Sequence, residues 1–153
     1  MKTPKNILIV ITFFCALAGL PFSAPAACTP EQEHEVLELF KQWNASLLTG
    51  NAARVDSNYA SDAVLIPTLS NQIRHTSAER IAYFKDDFLP KKPSGKIDKY
   101  YLRCIGDIAI NSGLYTFTFA NGSKQQARYT FVYQKRDGKW LIIEHHSSKM
   151  PQP

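Results

Sequence analysis

Apolar residues recur at helical spacing in the first half of the chain. Val36, Phe40, Trp43 and Leu47 follow one another four, three and four apart, and Leu37, Leu39 and Leu48 widen the stripe. That period predicts an amphipathic helix lying on a core. Thr29-Pro30-Glu31-Gln32 supplies its start: Thr29 caps, Pro30 suits the first helical position, and Gln32 is placed to close a capping box. Gly50 ends it. Residues 51–59 read as a second, short helix and residues 63–67 as a short apolar strand. Residues 68–71 are turn-like, and residues 72–75 read as a small return strand. Thr76-Ser77-Ala78-Glu79 repeats the capping box and opens a helix carrying Ile81, Phe84 and Phe88, which Pro90 stops.

From Lys96 the period changes to two. Residues 97–105, 108–119, 125–136 and 139–148 each alternate as strands, joined by Gly106-Asp107, Asn121-Gly122 and Asp137-Gly138 turns. The order α-α-β-β-α-β-β-β-β, helices before a run of antiparallel strands, indicates an α+β fold. Three helices on one face of a curved sheet leave a cone with an open mouth, where a pocket is expected. The long strands are apolar on both faces: Ile108, Ile110 and Leu114 oppose Ala109 and Tyr115, and Ile142 opposes Leu141 and Ile143. One face covers the helices. The other calls for a partner, and a homodimer or larger assembly is the expectation.

The chain has 153 residues, 44% apolar and 20% charged. That suits one domain and excludes a two-domain enzyme, a disordered tail and a disulfide-rich miniprotein. Lys2 and Lys5, an apolar run over residues 7–20, and Ala24-Pro25-Ala26 form the pattern of a secretory signal peptide over residues 1–26. The run is short for a membrane-spanning helix, so no stable anchor is expected. Pro25 stands where a lipoprotein signal before Cys28 would want a leucine-like residue. The domain, residues 27–153, is therefore expected in the periplasm or outside the cell, where Cys28 and Cys104 are expected to form a disulfide. Without the two signal lysines the cationic excess falls from five to three and is dispersed, which argues against a nucleic-acid partner.

Several stretches then resemble one family. They are Trp43-Asn44-Ala45, Leu65-Ile66-Pro67-Thr68-Leu69-Ser70-Asn71, Ile110-Asn111-Ser112-Gly113-Leu114-Tyr115-Thr116-Phe117, Ala127-Arg128-Tyr129-Thr130-Phe131-Val132-Tyr133, Arg136-Asp137-Gly138-Lys139-Trp140 and His145-His146-Ser147-Ser148. Taken in order they resemble bacterial relatives of the association (hub) domain of calcium/calmodulin-dependent protein kinase II, in the NTF2-like, SnoaL-like superfamily. The resemblance covers residues 31–151. It implies an α+β cone, a pocket between helices and sheet, and assembly through the outer sheet face. Hub domains are not catalytic, and their pocket binds small carboxylates with arginines and a histidine. Those arginines align near Tyr115, Phe131 and Ser148, and the histidine near Arg80, so the clamp does not carry over residue by residue. The chain lacks a glycine-rich phosphate loop and a kinase catalytic loop.

Few polar residues offer chemistry. Arg128, in an otherwise apolar strand, reads as an anion anchor or as half of an ion pair with Glu144. Arg74 is expected at the pocket rim. His145 and His146 point to opposite faces, whereas Glu144 and His146 share one and, with Arg128, are expected at the polar end of the pocket; Arg128 and Tyr129 lie on opposite faces of their strand, so at most one of them lines the cavity unless a bulge intervenes. Tyr59, Tyr115 and Tyr129 are candidate pocket walls. With His34 and His75 elsewhere, no metal site is expected, and no motif calls for a cofactor. Two functions follow. The first is a non-catalytic module that self-associates and binds a small polar or anionic molecule. The second is a ketosteroid-isomerase-like or SnoaL-like enzyme with Tyr115 as donor and Glu144 as base.

Overall fold

The structure is a computed structural model and describes residues 27–151. Residues 1–26, expected from the sequence to be a signal peptide, lie outside the described residues. α1 (Pro30–Leu48) starts on the expected capping box, with the Thr29 side chain accepting from the Gln32 amide and the Gln32 side chain accepting in return. Its buried stripe is Val36, Phe40, Trp43 and Leu47, and Gly50 follows in the left-handed region at φ 66°. α2 spans Ala52–Asp56 and β1 spans Tyr59–Ile66. The second helix is thus shorter than its sequence suggests, and Tyr59 opens a strand. The expected return strand contracts to one bridge between Leu65 and Arg74. The second capping box opens α3 (Ser77–Tyr83), which runs on as a wide turn over Phe84–Phe88 and a tight turn over Leu89–Lys91.

β2 (Ser94–Ile105), β3 (Ile108–Thr118), β4 (Lys124–Arg136) and β5 (Lys139–Lys149) form an antiparallel run. β1 joins its far edge parallel to β5, giving the order β1-β5-β4-β3-β2. The fold is α+β, three helices on one face of a five-stranded sheet. Gly113 permits a close crossing, since a Cβ there would lie 1.9 Å from the Lys99 carbonyl oxygen beside an irregularity in β2.

On β4 the inward residues are Ala127, Tyr129, Phe131 and Tyr133, all buried. On β5 they are Ile142 and His145. The odd interval has a cause in register: Tyr133 pairs with Ile142 and Val132 with Glu144, so Ile143 is an extra residue in a bulge. Past the bulge the faces exchange. Glu144 and His146 point outward with Arg128, and all three are exposed. The expectation that they line the inner cavity is corrected by that one residue.

Two linkages tie the helices down. Arg80 is fully buried and donates from Nε to Asp56 (2.7 Å) and from its terminal nitrogens to the carbonyls of Ala63 (2.6 Å) and Ala60 (3.0 Å). Cys28 and Cys104 form a disulfide, Cα atoms 4.9 Å apart, fastening the start of α1 to β2 across 76 positions. Removing one partner of a buried ion pair strands the other, so Arg80→Met is expected to cost about 3–5 kcal/mol in urea unfolding. Cys28→Ser is expected to cost about 4 kcal/mol by the chain-entropy relation, with a similar loss when the parent protein is reduced.

Candidate functional site

Inside the cone, Trp43, Tyr59 and His145 make a chain. The Trp43 indole N–H donates to the Tyr59 hydroxyl at 3.0 Å, and that hydroxyl lies 2.8 Å from Nδ1 of His145. Indole can only donate, so the Tyr59 oxygen accepts and its proton goes to Nδ1. The opposite tautomer would leave the Tyr59 proton without an acceptor. His145 is 3% exposed, stacks on Phe131 at 3.9 Å and meets the Trp43 ring edge-on at 5.3 Å. Burial, helped by nearby His146, pulls its pKa from 6.5 to about 3. The ring is therefore neutral, with its proton on Nε2, and that nitrogen is buried without a partner.

His145 forms part of the wall of a small, partly open cavity of about 40 Å³ at the open end of the cone. Trp43, Leu65, Phe84, Phe88 and Phe117 supply apolar walls. Thr68, Tyr115 and Ser147 supply hydroxyls. The Tyr115 hydroxyl donates to Ser147 Oγ at 2.5 Å, and Thr68 Oγ1 lies 2.5 Å from the same oxygen. Burial raises the Tyr115 pKa well above the ordinary tyrosine value, so it stays a donor. The lining thus combines aromatic walls with three hydroxyl residues bonded to one another and with His145, whose Nε2 has no partner. No carboxylate is among its lining residues.

The expected residues divide accordingly. Tyr115 lines the cavity, and Tyr59 stands behind it, bonded to His145. Tyr129 faces inward but is committed to Asn111 Oδ1 at 2.8 Å. Arg74 sits near the mouth, held by Gln72 (2.5 Å) and Ser70 (3.1 Å) with its guanidinium 6.0 Å from the Tyr83 ring. Arg128 lies outside and donates to the Lys149 carbonyl at 3.4 Å. It stands opposite Ser148 in the ladder while Glu144 stands opposite Val132, so the expected Arg128–Glu144 pair does not form. Glu144 and His146, on that same outer face, are not cavity groups. His34 and His75 pair with Glu38 (3.9 Å) and Glu79 (3.6 Å) instead. No group of three or more His, Cys, Asp or Glu suited to a metal lies among the described residues. Sequence reasoning missed Thr68, Ser147 and the inward role of His145. Thr68 and Ser147 do lie in stretches quoted for the resemblance.

A neutral buried histidine must take up a proton on unfolding below pH 6.5. Its folded pKa is depressed, so the unfolded chain binds more protons between pH 6.5 and about 3, and stability falls as pH falls through that window. The His145 contribution to the slope approaches about 1.4 kcal/mol per pH unit. Urea unfolding at a series of pH values should show it in the parent protein and not in His145→Gln.

A crystal structure of a Xanthomonas campestris protein assigned to the calcium/calmodulin dependent protein kinase II association domain is 49% identical, with TM-score 0.76, covering 85% of this chain and 97% of that one. An NTF2-like protein of Pseudomonas putida shares the fold at 17% identity and TM-score 0.68, covering 78% and 87%. An iota-carbonic anhydrase from a cyanobacterium, crystallised with bicarbonate, shares it at 24% identity and TM-score 0.71, covering 83% and 95%. None of the curated proteins matches. The family model described as the calcium/calmodulin dependent protein kinase II association domain matches residues 32–151, and the chain belongs to that family.

Proposed function

We propose that this chain is an exported, self-associating domain, without kinase activity, whose interior cavity binds carbon dioxide and bicarbonate and interconverts them. One observation carries the reading: a cavity of about 40 Å³ with aromatic walls has three hydroxyl residues, Thr68, Tyr115 and Ser147, and His145, whose Nε2–H is unpaired, among its lining residues. Such a space admits a molecule of about four non-hydrogen atoms. It is too small for a steroid or polyketide, and Glu144, the base that an isomerase reading required, is exposed on the other face. The bicarbonate bound to the cyanobacterial relative of the same fold supports the same ligand class.

The chemistry follows from the groups present. Carbon dioxide is apolar and suits the wall of Trp43, Phe84 and Phe117. A water held by Thr68 and Ser147 attacks its carbon; a C–O bond forms while one C=O π pair moves onto oxygen. The His145 N–H and the Tyr115 hydroxyl cluster stabilise the charge that develops there. The proton released leaves along the Tyr115–Ser147–Thr68 hydroxyls to buffer, Thr68 and Ser147 being half-exposed.

The purified mature protein is expected to accelerate carbon dioxide hydration in a stopped-flow indicator assay. Ser147→Ala and Thr68→Val should each lower kcat roughly 10²-fold, the usual loss for one charge-stabilising donor, with circular dichroism unchanged. Hydration no faster than in buffer would sink the catalytic reading. Bicarbonate causing no change in the Trp43 indole signal would sink binding as well.

The proposed self-association uses the outer sheet face; in support, Ile108, Ile110, Leu114 and Val132 are half-exposed there in the single chain and Tyr101 and Ile105 are more exposed still. Light scattering should give at least twice the mature mass, and Val132→Glu should reduce it to one chain. A parent protein that is monomeric at micromolar concentration would contradict this.

A further inference from the structure

The small cavity leads into a wider hollow at the mouth of the cone. Leu69, Phe119 and Gln125 line both, and the outer one measures about 410 Å³. The tight turn Leu89–Lys91 and the β3–β4 turn wall this vestibule, clasped together by the Ala120 amide, which donates to the Lys91 carbonyl at 3.1 Å. Lys149 lines it from β5. It lies two residues beyond Ser147 on the same face of the strand, roughly 7 Å along it. The hydroxyl chain of the cavity therefore ends beside a cation.

The vestibule carries charge of one sign. Lys91 and Lys149 line it, both are exposed, and no acidic residue does. Neither lysine pairs with a carboxylate among the described residues. Asp87 acts on the Tyr83 hydroxyl but lines neither hollow.

Hydration of carbon dioxide releases one proton for each bicarbonate formed, and a base must take it. The lining of the two hollows holds no such base. His145 is buried and neutral, with its pKa pulled down to about 3. Tyr83 and Tyr115 keep their protons, since burial raises the pKa of both. An ammonium group has three donors and no acceptor. The acceptor must come from solution, and two unpaired cations at the exit select it by charge.

We propose that the vestibule docks a small, doubly charged oxyanion base of the hydrogen phosphate class, which receives the proton of hydration between Lys91 and Lys149. The inference rests on the carbon dioxide reading and names the second substrate of that site. As the water oxygen bonds to carbon, one of its O–H bonds breaks. The proton passes through Ser147 to a phosphate oxygen, so bicarbonate and dihydrogen phosphate leave in place of carbon dioxide, water and hydrogen phosphate. A phosphate group has its second pKa at about 6, so the dianion is present at neutral pH and holds the proton once it arrives.

The test is stopped-flow hydration by the mature protein at saturating carbon dioxide, neutral pH and constant ionic strength. The rate should rise and saturate as inorganic phosphate is increased from about 1 mM, a range that reports millimolar affinity. Imidazole buffer, whose acid form is a cation, should raise the rate without saturation. Sulfate, an oxyanion too weakly basic to take the proton, should inhibit the phosphate-supported rate more than the imidazole-supported one. The Lys91→Gln, Lys149→Gln double variant, altered only at exposed positions, should raise the half-saturating phosphate concentration roughly fivefold, as two exposed charge pairs supply. It should also lower the ratio of the phosphate-supported to the imidazole-supported rate, whereas a loss of folding lowers both together. Hydration that proceeds equally in the two buffers, or a double variant with an unchanged phosphate response, would overturn this inference and leave the carbon dioxide reading standing. Hydration absent in both buffers would overturn the two together.

Discussion

The guanidinium of Arg80 donates to Asp56 at the end of α2 and to the carbonyls of Ala60 and Ala63 in β1. Those carbonyls lie where β1 departs from regular pairing, between Tyr59 opposite Ile142 and Val64 opposite Glu144. A strand that leaves its neighbour for several residues must find other donors for its backbone. One planar side chain with several N–H groups does so while also answering the Asp56 charge. Its cation lies 5.5 Å from the Tyr59 ring. Tyr59 in turn fixes the tautomer of His145, so a structural ion pair at the edge of the sheet bears on which nitrogen of that ring carries the proton.

The aromatic interior works as a spacer around that network. Trp43, Phe131 and His145 pack face to face or face to edge, which holds the imidazole in a water-poor setting. Burial makes every polar group there more consequential: it keeps His145 neutral and Tyr115 protonated. A cavity built from neutral donors suits a substrate that gains negative charge during reaction. The same neutrality makes it a poor place for general base catalysis, which is why hydroxyls leading to solvent, rather than a buried carboxylate, carry the proton in the proposed chemistry.

The two ends of the sheet differ in construction. At the open end, Thr68, Tyr115 and Ser147 satisfy one another closely, and His145 Nε2 and Arg74 Nε are left without partners. At the far end, Tyr133 and Trp140 are both unsatisfied, and the nearby charges are exposed cations. The disulfide between Cys28 and Cys104 belongs to neither. It closes the long connection from α1 to β2 and leaves both hollows free.

Much of the architecture was legible in the chain because it is local. The two capping boxes, the helical stripe ending at Gly50, and the period-two strands with their Gly turns are written in short stretches, and each forms at or near its expected place. Membership of the family was legible from ordered motifs for the same reason. The phase of Arg128 was partly legible too, since Ala127, Tyr129, Phe131 and Tyr133 form an apolar set from which it is excluded. The last strand was not. Strict alternation from Ile142 carries Glu144 and His146 inward, and nothing in Leu141-Ile142-Ile143 marks which apolar residue is extra. Only pairing with β4 and packing on the helices selects Ile143 for the bulge. That choice turns His145 into the cavity and sends its neighbours to solvent. Register is a property of two strands at once, and the chemistry of the site depends on it.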